Sequence, residues 1–510
     1  SWRGVVFSAT STNCVLNYAD IRYGGAGFIS NVHCNSASPT LSHCVIRNNY
    51  THGMNLNSNS SPTVTNCTFT NNGGRAVAYV PFTAVPGFTN NAATGNAGNH
   101  LQVSSGLVSG VMRLGPQSIL EGALMMTSTL TIPTGSSLTI EQGVNLKFDG
   151  GYEVNVDGRL NLLGTSYEPI VLTGAADDSI AGDTNNNGPG SAVPASWRGV
   201  VFNAGSLGYV ENTLIRYAGS GFVPALTSAS SGVALRAVRA DHAYSTGFEL
   251  QALAGSAPNL IAWGCGTGIH LASDSFLVPH ATVSGNTTGI RAETAWTGRV
   301  VNSIVYGNST NFSNFGAGTQ VLRSNGGFAG TNGNLNTDPL FENAAAGDFH
   351  LTVNSPCLAI ADFVQALLTQ KDFDENSRIL DHALIGAPAP DMGAYERAAW
   401  DVAVSGQARP GSTLTFTLSG PPGASFIALG LVDGTAPFFP YGILLAGANP
   451  GSSVALLYPV TLPVGFPIPL PLVNDPALLS ISAGIETLTF PLGNFAVGNF
   501  TRLYRMLIRP

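Results

Sequence analysis

Two stretches of equal length decide how this chain folds. Residues 38–49 read SPTLSHCVIRNN, and residues 61–72 read SPTVTNCTFTNN, so the same pattern returns 23 positions later. Further along, Thr-Gly-apolar triplets begin at Thr246, Thr267 and Thr288, 21 positions apart. A unit of this length cannot bury a hydrophobic core alone. Neighbouring units must therefore stack into a solenoid.

The repeats predict short β-strands. Val, Ile, Leu and Phe alternate with Thr, Ser and Asn, and Gly or Asn stands at the bends, which excludes helical repeats. Leucine-rich repeats need a regular leucine skeleton, which is absent. In a parallel β-helix, like residues stack about 4.8 Å apart. We therefore expect Asn49 and Asn72 to form an amide ladder, and Cys44 and Cys67 to stack as buried thiols.

A larger duplication encloses these repeats. Residues 1–7 read SWRGVVF, and residues 196–202 read SWRGVVF again. Ile-Arg-Tyr follows each copy, at residues 21–23 and 215–217. The chain therefore begins inside one large module and contains a second copy of it.

Composition narrows the classes of function. Of 510 residues, 10% are charged and 44% hydrophobic, and the formal net charge is -8. This composition excludes a disordered chain. The sequence contains no uninterrupted apolar run of about 18 residues, so no membrane span is predicted. The sparse Lys and Arg residues form no cluster, which argues against a nucleic-acid partner. The composition is typical of secretion, so we expect that a leader has been removed or that upstream sequence is missing.

A longer stretch carries a family resemblance. Residues 129–202 contain TLTIP, LTIEQGVNLKF, VDGRL and WRGV, and they resemble the right-handed parallel β-helix repeat proteins of bacterial surfaces, in the pectate-lyase-like superfamily. Residues 338–396 resemble the segment that closes such helices. The resemblance covers roughly residues 1–396. It implies a fold rather than a function, because this scaffold hosts lyases, hydrolases, adhesins and structural fibres.

The predicted fold class is all-β, a duplicated right-handed parallel β-helix followed by a small β-sandwich. We predict a partial first module at residues 1–112, a second module at 113–337 with a loop insertion at 174–195, and a closing segment at 338–397. From residue 398 onward, Pro and Gly separate alternating strands, which predicts a β-sandwich over 398–510. This part is similar to small sandwiches appended to secreted bacterial proteins.

One column of polar residues is a catalytic candidate, although no catalytic residue is assigned. Glu249, His270 and Arg291 each follow a repeated Thr-Gly-apolar triplet, so they should lie on one face of successive coils. An acid, an imidazole and a guanidinium in a row can abstract a proton. The alternative is a solvent-facing column of opposite charges. The hydrolase signatures Asn-Thr-Asp, Gly-His-Gly and Arg-Ile-Lys are absent, as is the lyase pattern of two Arg flanking a Pro.

The insertion contains a candidate structural calcium site. Its spacing matches D-x-[DN]-x-[DN]-G, in which alternate oxygens and a Gly suit a Ca²⁺ loop. The candidate ligands are Asp177, Asp178, Asp183, Asn185 and Asn187. The distal Glu of an EF-hand is missing, so a polar Asn-rich loop is the alternative. A second acidic run, at residues 372–376, is predicted to be a surface turn.

The two ends of the chain predict head-to-tail assembly. The open end of a coil stack can template further strands, and residues 466–472 alternate apolar residues with Pro, as in an edge strand. A heterologous contact between the ends propagates as a fibre. The candidate interface residues are Trp2, Val5, Phe7, Phe466, Ile468, Leu470 and Leu472. The alternative is that upstream residues cap the coil and the apolar C-terminal segments lie in the sandwich core.

Two classes of function remain open. The first is a structural or adhesive β-helical protein, outside the cell or on a bacterial surface, which forms a head-to-tail homo-oligomer and has a cell-surface glycan as candidate partner. The second is a polysaccharide lyase or glycoside hydrolase on the same scaffold. The missing catalytic signatures favour the first, as does the scarcity of the basic residues that acidic polysaccharides require. Apart from structural Ca²⁺, no cofactor is predicted.

Overall fold

The computed structural model describes residues 2–398, apart from residues 28, 58, 274, 317–319 and 381–387. Beyond residue 400 it describes the backbone of strands alone. The chain forms two compact units. The first comprises Ser1–Gly164, Pro169–Gly255 and Ala262–Asp274, and the second comprises Thr165–Glu168, Ser256–Ile261 and Ser275–Pro510. The boundaries predicted at residues 112, 337 and 397 stay predictions.

The first unit is a stack of parallel coils, which confirms the predicted β-helix. Its strands are short, because each coil must bend after a few residues. They are Val5–Phe7, Val15–Asn17, Asp20–Arg22, Val32–Cys34, Thr40–Ser42, Val45–Arg47, Met54–Leu56, Thr63–Thr65, Thr68–Thr70, Arg75–Pro81, Phe88–Thr89, Ala92–Thr94, Gly98–Leu107, Val111–Leu114, Leu124–Met126, Leu130–Ile132, Ser137–Glu141, Asn145–Phe148, Glu153–Val156, Arg159–Leu163, Ile170–Gly174, Gly199–Phe202, Leu207–Arg216, Leu226–Ala229, Val233–Asp241, Thr246–Ala252 and Thr267–Leu271. The strand Ile261–Trp263 contributes residues to both units.

The early coils have three faces, and each face is a parallel ladder with like residues in register. Apolar partners from successive coils fill the interior, and each of them is fully buried. They include Val32 with Met54, Leu41 with Val64, and Ile46 with Phe69. Cys44 and Cys67 also stack as predicted, since the N–H of Cys44 donates to Sγ of Cys67 at 3.4 Å. Both are free thiols.

The predicted amide ladder forms at one bend of these coils. Oδ1 of Asn72 accepts the backbone N–H of Asn49 at 3.0 Å, and Nδ2 of Asn72 donates to Oδ1 of Asn96 at 2.7 Å. Asn49 and Asn72 are almost completely buried. Asn48 and Asn71 precede them with φ of 54° and 55°, the left-handed conformation that Asn tolerates. The ladder satisfies backbone groups that the bend would otherwise leave unpaired.

The two copies of the duplicated heptapeptide lie on different faces. Val5 belongs to the ladder that runs through Val32, Met54, Val77, Leu101, Leu124, Leu146, Leu172 and Ile215. Val200 belongs to the ladder that runs through Gly106, Leu130, Val154, Leu226 and Phe248. Both ladders cross the single bent strand Gly98–Leu107. The second copy is therefore rotated by one face about the helix axis.

The local structure of the duplicated segment is nevertheless kept. The indole N–H of Trp2 donates to the carbonyl of Arg22 at 2.8 Å, and that of Trp197 donates to Arg216 at 2.8 Å. Trp197 is fully buried and stacks on Phe148, with ring centroids 4.5 Å apart, whereas Trp2 is 45% exposed. The covering of the indole, and not its hydrogen bond, distinguishes the copies.

The second unit also contains parallel ladders. Its parallel pairs are Leu277–Pro279 with Arg299–Val301, Thr282–Ser284 with Ile304–Val305, Thr288–Ala292 with Thr310–Ser313, and Arg299–Val301 with Val321–Leu322. An antiparallel hairpin, Phe341–Asn343 with Asp348–Leu351, and the helix Phe363–Thr369 follow. Oδ1 of Asp362 caps this helix by accepting the N–H of Gln365 at 2.9 Å. No helix among the described residues is long and apolar enough to cross a membrane.

The C-terminal strands pair antiparallel, which agrees with an all-β region. They are Asp401–Ser405, Thr413–Ser419, Gly423–Leu431, Ala436–Phe438, Gly442–Leu444, Ala455–Leu462, Pro467–Pro471, Ser482–Pro491, Asn499–Phe500 and Tyr504–Leu507. Among these, Pro467–Pro471 lies at the end of a three-stranded sheet beside Thr413–Ser419. The packing of two sheets into a sandwich stays a prediction.

Replacing Asn72 tests the amide ladder. In Asn72→Ala, the buried N–H of Asn49 loses its acceptor, so the free energy of unfolding should fall by about 1–3 kcal/mol. Urea denaturation followed by circular dichroism measures the change. The control is Asn17→Ala, because Asn17 is an exposed strand residue. Equal stability of both variants and the parent would contradict a structural role for the ladder.

Candidate functional site

An open groove of about 620 Å³ crosses the surface of the first unit. Each of four successive coils contributes to it. The lining residues are Asn35 and Ser36, then Leu56, Asn57 and Asn59, then Tyr79, Pro81 and Thr83, and finally Ser104, Ser105, Leu107 and Ser109. The groove therefore runs across the strands, in the direction in which the coils stack.

Most of the described residues that line the groove are polar, and none of them carries a charged side chain. Amides and hydroxyls supply both donors and acceptors. Nδ2 of Asn57 donates to Oδ1 of Asn35 at 3.4 Å. This hydrogen bond links amides from two neighbouring coils. Such a surface suits a ligand that is itself rich in hydroxyl groups.

Tyr79 stands in this groove in an unusual backbone conformation. It lies inside the strand Arg75–Pro81, where the register with the next coil shifts, and its φ is 60°. Bulky residues rarely adopt a positive φ, and bulges of this kind re-aim side chains. Tyr79 is 49% exposed, and its ring lies nearly perpendicular to that of His52, with centroids 5.8 Å apart. About half of the residue is therefore open to solvent.

The structure brings two members of the predicted catalytic column together. In the first unit, Glu249 and His270 occupy paired positions of neighbouring strands, and Oε2 of Glu249 lies 2.6 Å from Nδ1 of His270. Both side chains are less than one-fifth exposed. Arg291 belongs to the second unit, where its guanidinium bonds Glu293 at 2.7 Å. A carboxylate–imidazole pair is therefore present, and its catalytic role stays a prediction.

The acidic pair at the start of the insertion is engaged within the protein. Oδ2 of Asp177 accepts the hydroxyl of Thr173 at 2.8 Å and pairs with Arg216 at 2.9 Å. Oδ2 of Asp178 accepts the N–H of Gly190 at 2.7 Å. The Asp177 contacts tie the insertion to the coil beneath it, and the Asp178 contact joins two parts of the insertion.

The rest of the calcium motif forms a tight turn. The carboxylate of Asp183 accepts the N–H groups of Asn187 and Gly188 at 3.2 and 2.9 Å, while Oδ1 of Asn185 is buried without a hydrogen-bond partner. Within the part of the chain that the structure describes, no three His, Cys, Asp or Glu side chains converge on one point as metal ligands. Calcium binding stays a prediction, and a calcium-dependent shift in melting temperature would test it.

A buried lysine holds the same insertion. The Lys147 side chain is fully buried, and its Nζ donates to the carbonyls of Ile180 and Gly182 at 3.0 and 2.8 Å. Burial lowers the pKa of Lys147, and the aspartates of the insertion partly oppose that effect. The ammonium group thus binds loop carbonyls, as a bound cation would.

Of the predicted interface residues, the three in residues 2–7 can be located in full. Trp2 is exposed, Val5 is half-buried and Phe7 is buried. At the other end, Ile468 and Leu470 lie in the strand Pro467–Pro471, whose side chains the structure does not describe. Phe466 and Leu472 lie outside the described residues. The interface therefore stays a prediction.

The closing segment contains a buried ionic network. Arg378 is completely buried and donates to Oε1 of Glu396 at 2.8 Å, to Oδ1 of Asn259 at 2.6 Å and to the carbonyl of Ala394 at 2.8 Å. Burial and the nearby Asp391 raise the pKa of Glu396, whereas Arg378 lowers it. A buried charge needs a partner, and these contacts supply one for Arg378 while joining it to Ala394 and Glu396.

The turn predicted at residues 372–376 is present, but its predicted location on the surface is wrong. Asp372, Glu375 and Asn376 are each 5% exposed or less. Oδ1 of Asp372 accepts the N–H of Asn376 at 2.6 Å, and its Oδ2 accepts the N–H of Glu396 at 2.8 Å. The carboxylate is buried because it satisfies backbone donors.

Sequence reasoning missed the groove, Lys147 and a charged clamp around His350. The sequence contains a signal for two of these features. Asn35 recurs at Asn57, which marks the groove, and lysine is scarce in the chain, which singles out Lys147. No sequence signal marks the bulge that presents Tyr79.

Replacing Lys147 tests its role in the insertion. In Lys147→Met, the carbonyls of Ile180 and Gly182 lose their donor, so backbone amides in residues 175–195 should exchange hydrogen faster. Hydrogen–deuterium exchange with mass spectrometry measures this. Arg159→Met is the control, because Arg159 is an exposed cation. Unchanged exchange in the Lys147 variant would show that the conformation of the loop does not depend on Lys147.

His350 predicts a pH dependence of stability. Its Nδ1 lies 2.6 Å from Asp348 and its Nε2 lies 2.9 Å from Asp374. Burial lowers the pKa of His350, but Asp374 and Asp348 outweigh it and raise the pKa to about 9. This stabilisation is full below the unfolded pKa of about 6.5 and is lost as pH rises toward 9.

His350→Gln should therefore flatten the fall of melting temperature between pH 6.5 and 9. Differential scanning fluorimetry across that range measures it, and His43→Gln, at an exposed position, should keep the parental slope. An unaltered slope in the His350 variant would contradict the clamp.

Comparison with known proteins agrees with the architecture. Residues 3–109 match the family described as right handed beta helix region, and comparison with curated proteins gives no match. Among solved structures, the chain is similar to full-length tailspike protein 2 of Escherichia coli O157:H7 bacteriophage CAB120 at 10% identity, over 100% of this chain and 68% of that one, with a TM-score of 0.16. So low a score supports no structural argument. The family match over residues 3–109 and the parallel strand register together show a right-handed parallel β-helix fold.

Proposed function

We propose that the chain is an extracellular structural and adhesive β-helical protein that holds surface glycans without cleaving them. The observation that carries the proposal is the open, uncharged groove lined by amides, hydroxyls and Tyr79. Such groups bond sugar hydroxyls, and an exposed aromatic ring offers an apolar face. A groove without an acid pair suits binding rather than hydrolysis, which uses two carboxyl groups.

The scaffold and composition support the same proposal. A solenoid presents long, continuous surfaces, and only 10% of the residues are charged. A charge-poor surface favours contacts with neutral partners over the long-range attraction of charged ones. These features also favour a location outside the cell or on a cell surface.

Head-to-tail assembly belongs to the proposal as well. Trp2 and Val6 are 45% and 50% exposed, and the strand Pro467–Pro471 lies at the end of its sheet among the described strands. Contact between Trp2 of one copy and the strand Pro467–Pro471 of the next would join two copies head to tail. Sedimentation velocity at rising concentration, with Trp2→Ser as the comparison, tests this contact.

A lyase or hydrolase is the second candidate, and the Glu249–His270 pair favours it. The separation of 2.6 Å suits a general base oriented by a carboxylate. If this pair is catalytic, polysaccharide cleavage should be measurable in the parent protein and abolished in His270→Ala.

Screening on a glycan array tests the adhesive proposal. The protein should be retained on neutral glycans and should release no oligosaccharide or unsaturated product over a long incubation, with or without calcium. Chromatography of the supernatant detects release. Absence of binding to every glycan would overturn adhesion, and release that His270→Ala abolishes would establish the enzyme instead.

A further inference from the structure

We infer that the groove holds a linear, uncharged polysaccharide that runs parallel to the helix axis, with one sugar ring against Tyr79. This inference rests on the proposed glycan binding and specifies its location, ligand class and orientation. All residues that line the groove belong to the first unit.

The direction follows from the order of the lining residues. Asn35, Asn57, Tyr79 and Ser104 come from four successive coils. Asn35 and Asn57 directly follow the strands Val32–Cys34 and Met54–Leu56, which are paired in register with each other, and Met54–Leu56 also pairs with the strand that contains Tyr79. Three coil spacings of about 4.8 Å make a length of about 14 Å. This is longer than one sugar ring, and a ligand lying across the groove would meet only one coil. An extended chain along the axis uses every coil.

The absence of charge from the lining sets the ligand class. The side chains that line the groove are amides, hydroxyls, Tyr79 and three apolar residues. An acidic polysaccharide would lose the hydration of its carboxylates without gaining a cationic partner, which is costly. A neutral sugar chain exchanges water for amide and hydroxyl partners at little cost.

Tyr79 supplies the apolar contact. The backbone of Tyr79 is bulged and left-handed, which is a strained arrangement for a tyrosine. The residue is 49% exposed and lies beside polar neighbours. A sugar ring has apolar C–H faces as well as hydroxyl edges. It can therefore cover the tyrosine while its hydroxyls bond Asn57 and Asn35.

A peptide fits the same surface less well. Peptides commonly bind sheets by pairing with a free edge strand. Here Met54–Leu56 pairs on both sides, with Val32–Cys34 and with Arg75–Pro81, so its backbone groups are already bonded. The only apolar lining residues are Leu56, Pro81 and Leu107, which offer no deep side-chain pocket.

Titration calorimetry of the full chain with cello-, malto- and manno-oligosaccharides of two to six units tests the inference. In at least one series, affinity should rise with length until the groove is filled. Tyr79→Asn should weaken binding at every length by about tenfold, since Asn accepts the left-handed backbone but removes the ring. Tyr18→Asn is the matched control, because Tyr18 is 74% exposed, has φ of 51° and lies outside the groove.

One end of the groove tests the orientation. Asn35 lies two coil spacings, about 10 Å, from Tyr79, so Asn35→Ala should weaken binding of the trisaccharide and of longer chains by about threefold to tenfold, and should leave a disaccharide seated on Tyr79 and Ser104 almost unaffected. Equal losses at every length would overturn the axial orientation.

The remaining outcomes separate this inference from the proposed function. If the protein binds glycans on an array but Tyr79→Asn binds as the parent does, the groove is not the site and adhesion stands. Binding of acidic glycans alone, or of unstructured peptides in place of sugars, would overturn the ligand class. If no glycan binds at all, the proposed function fails together with the inference.

Discussion

Every coil depends on the coils beside it, because no coil can satisfy its own backbone. The N–H of Val32 bonds the carbonyl of Gly53 in the next coil at 3.0 Å, and the same relation holds along each ladder. At the bends, where strand pairing stops, hydrogen bonds between Asn49, Asn72 and the half-buried Asn96 connect successive coils. The structure therefore fixes what points inward and at the bends. It leaves the outward positions of each strand largely free.

Function in such a molecule lies in those outward positions. The Glu249–His270 pair, the groove amides and Tyr79 all occupy them, and each is placed by residues that serve the stack. Lys147 is an example of an outward side chain that is fully buried, because an insertion folds over it. Local additions to a regular solenoid thus create environments that the coils alone do not provide.

Sequence alone predicts the regular part of this structure well. The spacing between residues 38–49 and 61–72 fixes which residues stack, so the ladder and the cysteine pair follow directly. The bulge at Tyr79 and the burial of residues 372–376 do not follow. Both depend on contacts between segments whose relation no period reveals, such as Asp372 with the backbone of Glu396. Arg291 shares its spacing with Glu249 and His270, yet its bonded carboxylate is Glu293.

The rotation of the second module by one face has a consequence for valency. Tandem duplication in a solenoid is expected to multiply a surface along one side, in a single row. Here the ladder of Val5 leads to Ile215 and not to Val200, so equivalent outward residues such as Arg3 and Arg198 project at different azimuths. Ligands held at both copies would not crowd each other, and they could belong to two separate objects. A duplication that is out of phase with the coil would therefore let one molecule bridge two ligands, where an in-phase duplication would place them side by side.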